Sequence, residues 1–219
     1  MADWRDAVRA LKQGRVVAAP TESSYGLLAD VHNPDAITNL LGIKPRGSDK
    51  GQPLIAPNLE YWQTLVQPPS ALARRLAERF WPGPLTLVTA ARESLDARVT
   101  LNGSVAVRVP GPSVAADIVA FYGAALTATS ANDPGAPPCL SADEVASVFR
   151  TALGRGQLVI VAGTAPGGAP STLVELDSPL GDGAVALGGS TMGRWRVIRE
   201  GAIPSAALSQ VLRTEPTEP

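Results

Sequence analysis

The apolar residues of this chain come in short runs, and proline or glycine stops most of them within a few residues. "RVVAAP" ends at Pro20, "LIAP" at Pro57, "VAVRVP" at Pro110 and "QLVIVAG" at Gly163. Runs of this length and composition, closed by residues that cannot continue a ladder, read as short buried strands. Patterns at helical spacing lie between them. Trp4, Ala7, Val8 and Leu11 share one face of a segment over Asp3–Gln13, and Gly14 closes it. Asn33-Pro34-Asp35 opens a second helix to about Leu41. "SALARRLAERFW" carries Leu72, Leu76 and Phe80 on one side, while "PSVAADIVAFYG" and "SADEVASVF", opened by Ser141, are two more. "YGLLADV", "PLTLVTAA", "AALTATS", "STLVELD", "AVALGG" and "RWRVIREG" complete the strands, and "SAALSQVL" is a terminal helix. Strands interleaved with helices predict an α/β or mixed α+β sheet domain. It is placed at 1–209, with 210–219 as a flexible tail.

A chain of 219 residues with 45% hydrophobic and 18% charged side chains can bury one substantial core. The net charge of −1 gives no bulk attraction to nucleic acid or to an anionic membrane. No apolar run approaches the ~20 residues of a membrane helix, and the first residues lack the apolar stretch of a signal peptide. The expected location is cytoplasmic. Cys139 is the only cysteine and His32 the only histidine. Together they exclude an intrachain disulfide framework, a multi-cysteine or multi-histidine metal site, and any Ser-His-Asp triad that does not use His32. Neither a Walker A sequence nor a G-x-G-x-x-G fingerprint is present.

Four places carry unusual polar chemistry. The chain has three lysines, and two of them, Lys44 and Lys50, fall in one loop with Arg46 between them. Such a cluster either holds phosphate and carboxylate oxygens or is a solvated loop. "PTESSYGLLAD" follows strand-ending Pro20 with hydroxyl and carboxyl groups before Tyr25, which is a capped turn or a ligand surface. Arg108 interrupts an apolar strand, facing away from Val107 and Val109, and so meets either solvent or an anion. The strand "LTATS" then delivers Thr129, Ser130 and Asn132 to a sharp break at Asp133-Pro134-Gly135. Hydroxyls, an amide and cations without an acid–base histidine suit a site that orients phosphates and a small polar substrate. Phosphoryl and nucleotidyl transfer need mainly positioning and charge neutralisation.

These stretches, in this order, resemble the YrdC/Sua5 family, the threonylcarbamoyl-adenylate synthases. Pro20-Thr21-Glu22-Ser23-Ser24-Tyr25-Gly26-Leu27 matches P-T-E-x-x-Y-G-L, Lys44-Pro45-Arg46 matches K-x-R, and Pro53-Leu54-Ile55 matches P-L-I. "FWPGPLTLV" (80–88), "VAVRVP" (105–110), Ser130-Ala131-Asn132, Ser171-Thr172-Leu173-Val174-Glu175-Leu176 and Arg199-Glu200-Gly201-Ala202-Ile203 follow in family order. The resemblance covers roughly residues 5–205 and is to the single-domain form.

The resemblance implies a twisted open sheet with flanking helices and an open, positively lined cavity. It implies condensation of L-threonine, bicarbonate and ATP into threonylcarbamoyl-adenylate and pyrophosphate, with Mg2+ accompanying the nucleotide. The product supplies a modification on adenosine 37 of tRNA through partner enzymes. Alternatives are a paralogue with a changed acceptor, or a module that weakly binds tRNA or double-stranded RNA. Carried onto this chain, Lys44 and Arg46 are the catalytic pair that engages phosphate and carboxylate oxygens, and both are placed in an exposed loop. Thr21, Tyr25, Lys50 and Arg108 are substrate-binding, while Thr129, Ser130, Asn132, Ser171 and Arg199 contact the nucleotide. Three departures stand out. Ser23 replaces a common threonine, Pro57 stands where many relatives have histidine, and the loop from Lys44 to Gln52 is lengthened.

Overall fold

The computed structural model describes residues 2–44, 51–176 and 195–213. The strand expected within "AVALGG" and the chain beyond 213 lie outside the described residues. Helix α1 (Trp4–Lys12) begins where Asp3 accepts the Asp6 amide and the Asp6 carboxylate accepts the Asp3 amide in return. This reciprocal cap satisfies two donors that a helix N-terminus leaves open. Ala7, Val8, Ala10 and Leu11 form its buried face, and Arg9 and Lys12 sit in the last turn, where positive charge is favoured. Strand β1 (Val16–Pro20) is buried at every position. It lies antiparallel to β2 (Tyr25–Leu28) and parallel to β8 (Leu158–Ile160). A strand covered on both faces must be apolar throughout, which is why "VVAAP" shows no alternation. Its side chains nonetheless alternate between two cores. Val17 and Ala19 pack with Ala7, Leu11, Ile118 and Val119, whereas Val16 and Ala18 join the larger core with Leu27, Leu54, Trp62 and Val107.

The strands divide into two ladders. One has the order β7-β2-β1-β8, and the other β10-β9-β4-β5-β3-β6. The larger ladder comprises β3 (Leu54–Ile55), β4 (Leu85–Ala90), β5 (Ser104–Arg108), β6 (Leu126–Thr127), β9 (Thr172–Leu176) and β10 (Trp195–Arg199). Both parallel and antiparallel pairs occur in each. Helices α2 (Pro34–Ile43), α4 (Ala71–Phe80), α5 (Val114–Tyr122), α6 (Ala142–Val148) and α8 (Ser205–Arg213) flank the sheets near the sequence-predicted positions. The mixed α/β domain with twisted sheets and flanking helices is therefore the fold. Among the described residues no helix is long and apolar enough to cross a membrane.

Two features depart from the sequence reading. "LTATS" is not one strand. Leu126–Thr127 pairs with β3 in the larger ladder, whereas β7 (Thr129–Ser130) pairs with β2 in the smaller one. The chain changes sheets at Ala128, whose amide donates to the Pro53 carbonyl at 2.8 Å. Helix α3 (Leu59–Leu65), capped by Asn58, and the short α7 (Arg150–Gly154) were not expected. Only Trp62 and Leu65 of α3 are buried, too few positions to declare a helical period.

Thr172 closes the floor near the end of the chain. Its hydroxyl, fully buried, donates to the Ile203 carbonyl at 2.7 Å and accepts the amides of Gly201 at 2.9 Å and Ile203 at 3.0 Å. Gly201 is required here by close approach, since a Cβ would lie 2.1 Å from the Pro170 carbonyl oxygen. Thr172→Val keeps the shape and orphans three backbone groups. It should cost roughly 2–3 kcal/mol. That loss lowers the melting temperature by about 5–10 °C for a chain of this size. A shift below about 1 °C by calorimetry would show that the hydroxyl does not hold this segment.

Candidate functional site

The gap between the two ladders is a cavity of about 610 Å³, within the ordinary range for small-molecule sites, roughly 300–1,000 Å³. The smaller ladder contributes the 21–26 turn with Thr129 and Ser130, and the larger one contributes β3, β4, β5, β9 and β10. Alternation along each strand decides which side chains face it. On β5 these are Ser104, Ala106 and Arg108, and on β4 Thr86 and Val88. Ser171, just before β9, and Leu173 and Glu175 within it follow, and Arg196 and Ile198 come from β10.

Arg108 is the most buried of the cavity's cations. Its Nη1 donates to Glu22 Oε1 at 2.6 Å, and the Gly111 amide reaches the same oxygen at 3.2 Å. Burial pulls the guanidinium below its ordinary pKa, Glu22 opposes that pull, and the positive charge of Arg199 adds to it. Arg199 Nη2 donates to the Ser171 carbonyl at 2.9 Å, and Ser171 Oγ lies 2.8 Å from Thr86 Oγ1. Arg196 forks onto Glu175 Oε2 through Nε at 3.0 Å and Nη2 at 2.6 Å. Three arginines thus face one cavity, Arg108 paired with Glu22 and Arg196 with Glu175, on a chain whose net charge is −1. The arrangement can receive an anionic group larger than one carboxylate. The Thr129 and Ser104 hydroxyls are buried at this wall with no hydrogen-bond partner among the described residues.

The turn before β2 is a capped turn in its own right. Thr21 Oγ1 donates to the Ser24 carbonyl at 2.8 Å and accepts the amides of Ser23 at 3.2 Å and Ser24 at 3.3 Å. Tyr25 is fully buried, and its hydroxyl meets the carbonyls of Val161 at 3.0 Å and Gly163 at 2.8 Å. Burial raises its phenol pKa. Both residues line the cavity while spending their hydroxyls on the fold.

A family model of the Sua5/YciO/YrdC type, described as "Telomere recombination", matches residues 9–182. The chain belongs to the Sua5/YciO/YrdC family. A threonylcarbamoyl-AMP synthase of Vibrio vulnificus is 41% identical over 148 residues, 66% of this chain and 80% of the relative. Another, of Chromohalobacter salexigens, is 37% identical over 179 residues, 79% of this chain and 92% of the relative. The structure of Pyrococcus abyssi Sua5 complexed with L-threonine matches with a TM-score of 0.81 and 29% identity, covering 96% of this chain and 57% of that one. This family member therefore spans little more than half of the archaeal protein.

Of the residues singled out in the sequence, Thr21, Tyr25, Arg108, Thr129, Ser130, Ser171 and Arg199 line this one cavity. Arg46 and Lys50 lie outside the described residues. Lys44 differs from expectation. It is the C-cap of α2 and only 8% exposed, not part of an exposed loop. Its Nζ donates to the Ser130 carbonyl and, at 2.9 Å, to Asn132 Oδ1. Asn132 also accepts the Ser130 hydroxyl at 2.6 Å and donates to the Ala136 carbonyl at 2.6 Å. Lys44 and Asn132 thus stand behind Ser130 and outside the lining. Cys139 is buried beside this turn, with its thiol pKa pushed up by burial and the nearby carboxylates of Glu144 and Asp133. Its backbone serves Ala131 and Tyr25.

Thr86, Ser104, Glu175 and Arg196 line the cavity without having been singled out. Period two was the available signal. Choosing Arg108 selects Ser104 on the same face of β5, and choosing Ser171 selects Glu175 on β9. Burial of Lys44 changes what its removal should do. Lys44→Ala should lower the unfolding free energy by roughly 1–3 kcal/mol, because it strips charge-assisted hydrogen bonds from a partly buried carbonyl and side-chain amide. An unchanged denaturation midpoint would return Lys44 to a purely ligand-facing role.

Proposed function

We propose that this chain condenses L-threonine, bicarbonate and ATP into L-threonylcarbamoyladenylate, releasing pyrophosphate. The observation that carries the reading is the convergence of Arg108, Arg196, Arg199 and the hydroxyls of Thr86, Ser130 and Ser171 on one ligand-sized cavity. This occurs in a chain whose relatives are named threonylcarbamoyl-AMP synthase. The threonine-bound Sua5 neighbour supports the amino acid.

The chemistry matches the side chains present. The neutral amine of the amino acid adds to the carbon of bicarbonate and water leaves, giving a carbamate. A carbamate oxygen then attacks the α-phosphorus and pyrophosphate departs. The attacking carbamate is already an anion, so that step needs no histidine base. It needs two anionic reactants held in contact against their repulsion, which cations and fixed dipoles achieve. Arg108 and Arg199 serve the substrate anions in this reading, with Thr129, Ser130 and Ser171 on the nucleotide and Thr21 and Tyr25 shaping the amino-acid end. Lys44 and Asn132 hold Ser130 in place, and the family resemblance gives Arg46 to phosphate and carboxylate oxygens and Lys50 to the substrate. Mg2+ would accompany the nucleotide and would supply neutralising charge for its phosphates. Among the described residues no cluster of three or more His, Cys, Asp or Glu side chains could hold a metal. Glu175, the carboxylate in the lining, is paired with Arg196. The product is passed to enzymes that modify adenosine 37 of tRNA.

Pro57, in place of the histidine common among relatives, makes the amino acid the point to test. Pyrophosphate release should be measured from ATP and bicarbonate with each of the twenty amino acids, and the adenylate weighed by mass spectrometry. Release above background with L-threonine, and an adenylate of matching mass, is the expected outcome. Release with a different amino acid would identify a paralogue of changed acceptor. Release with none, alongside RNA binding that fades steeply with salt, would favour an RNA-binding module.

A further inference from the structure

Glu22 has no part in the contacts discussed so far except its pairing with Arg108, and that pairing is unusual in three respects. It joins different parts of the fold, since Glu22 lies in the turn between β1 and β2 of the smaller ladder and Arg108 ends β5 of the larger one. Both partners are largely withdrawn from water, with side chains 10% and 19% exposed for Arg108 and Glu22. The carboxylate is also used on one side only. Oε1 takes both the guanidinium and the Gly111 amide, while Oε2 is buried with no hydrogen-bond partner among the described residues. A Cβ on Gly111 would stand 3.7 Å from Oε1 and 3.6 Å from Gly83 Cα, at the meeting of the 80–88 and 105–110 stretches.

A buried ion pair with one oxygen unsatisfied is a poor source of stability, and an apolar replacement often folds as well. What it supplies is orientation. An arginine side chain loses rotamer freedom when it is fixed. Arg108 also feels the like charge of Arg199 across the cavity. A single anchor at Nη1 opposes both effects and leaves Nε and Nη2 without a partner among the described residues. We infer that Glu22 is a positioning residue that holds the Arg108 guanidinium, before substrate arrives, in the pose that receives the substrate's anionic group. The inference rests on the synthase reading for the identity of that anion, and on geometry alone for the anchoring.

The test uses the full chain and Glu22→Gln, which keeps the shape and an acceptor oxygen but removes the charge. Anchoring is read in the free protein from the resonance of the Arg108 Nη1–H2 group, which bonds Glu22, assigned by its loss in Arg108→Lys. Its exchange with water should become about fivefold faster or more in Glu22→Gln. Exchange unchanged within twofold would overturn the proposal, whatever the activity. Function is read from steady-state kinetics with ATP, bicarbonate and L-threonine. Glu22→Gln should raise the KM of one anionic substrate about tenfold while kcat stays within about twofold, the signature of lost binding pre-organisation. In an Arg108→Ala background the same change should add less than about twofold, because its effect passes through Arg108. An effect of equal size in that background would mean a merely structural Glu22 and would overturn the proposal. A wild-type protein with no turnover on any amino acid would sink the synthase reading alone, and the exchange measurement would still decide the anchoring.

Discussion

The change of sheets at Ala128 is the constraint on which the site depends. Leu126–Thr127 is committed to β3, and two residues later Thr129–Ser130 is committed to β2. Thr127 makes the join rigid, because its buried hydroxyl donates to the Leu27 carbonyl at 3.0 Å and accepts the Ala29 amide at 2.9 Å. One side chain thereby ties a strand of the larger ladder to the backbone of the smaller one. The two ladders meet there and separate beyond it, and the separation is the cavity. Ordered side-chain hydrogen bonds inside a low-dielectric interior are strong enough to fix such a junction, and costly to leave unmade.

Much of the polar chemistry at this gap serves to hold it open in one shape. Thr21 and Tyr25 line the cavity yet give their hydroxyls to the 21–24 turn and to the Val161 and Gly163 carbonyls. Lys44 and Asn132 grip Ser130 from behind. The groups left to meet a ligand are the arginines from β5 and β10 and the hydroxyls of the strand ends. Such a division fits a reaction whose difficulty lies in bringing anions together, where fixed dipoles and cations contribute more than proton shuttles.

The elements were largely legible because their signals are local. "VVAAP" needs no tertiary information to be a strand, and Asp3, Asn33, Ser70, Ser113 and Ser141 announce their helices by capping. The break in "LTATS" was not legible, because it depends on which distant strand each half meets, and no residue at Ala128 marks it. Burial of Lys44 was hidden for a similar reason. A lysine beside a polar, Gly/Pro-punctuated loop looks solvated until Ser130 and Asn132 arrive from elsewhere in the chain. Ser104, Thr86, Glu175 and Arg196 were readable in principle from strand period two, but only after neighbouring residues had been assigned to a shared face. The family resemblance supplied the order of the motifs, and the fold supplies the reason they converge.

In the proposed reaction a nucleoside triphosphate and a small amino acid occupy this one gap together. A crystal structure of the protein with a non-hydrolysable ATP analogue and L-threonine tests it most directly. Both ligands should lie between the two ladders, with anionic oxygens within about 3.2 Å of Arg108 and of the Ser171 hydroxyl. A nucleotide bound on another surface, or a cavity that admits neither ligand, would contradict it.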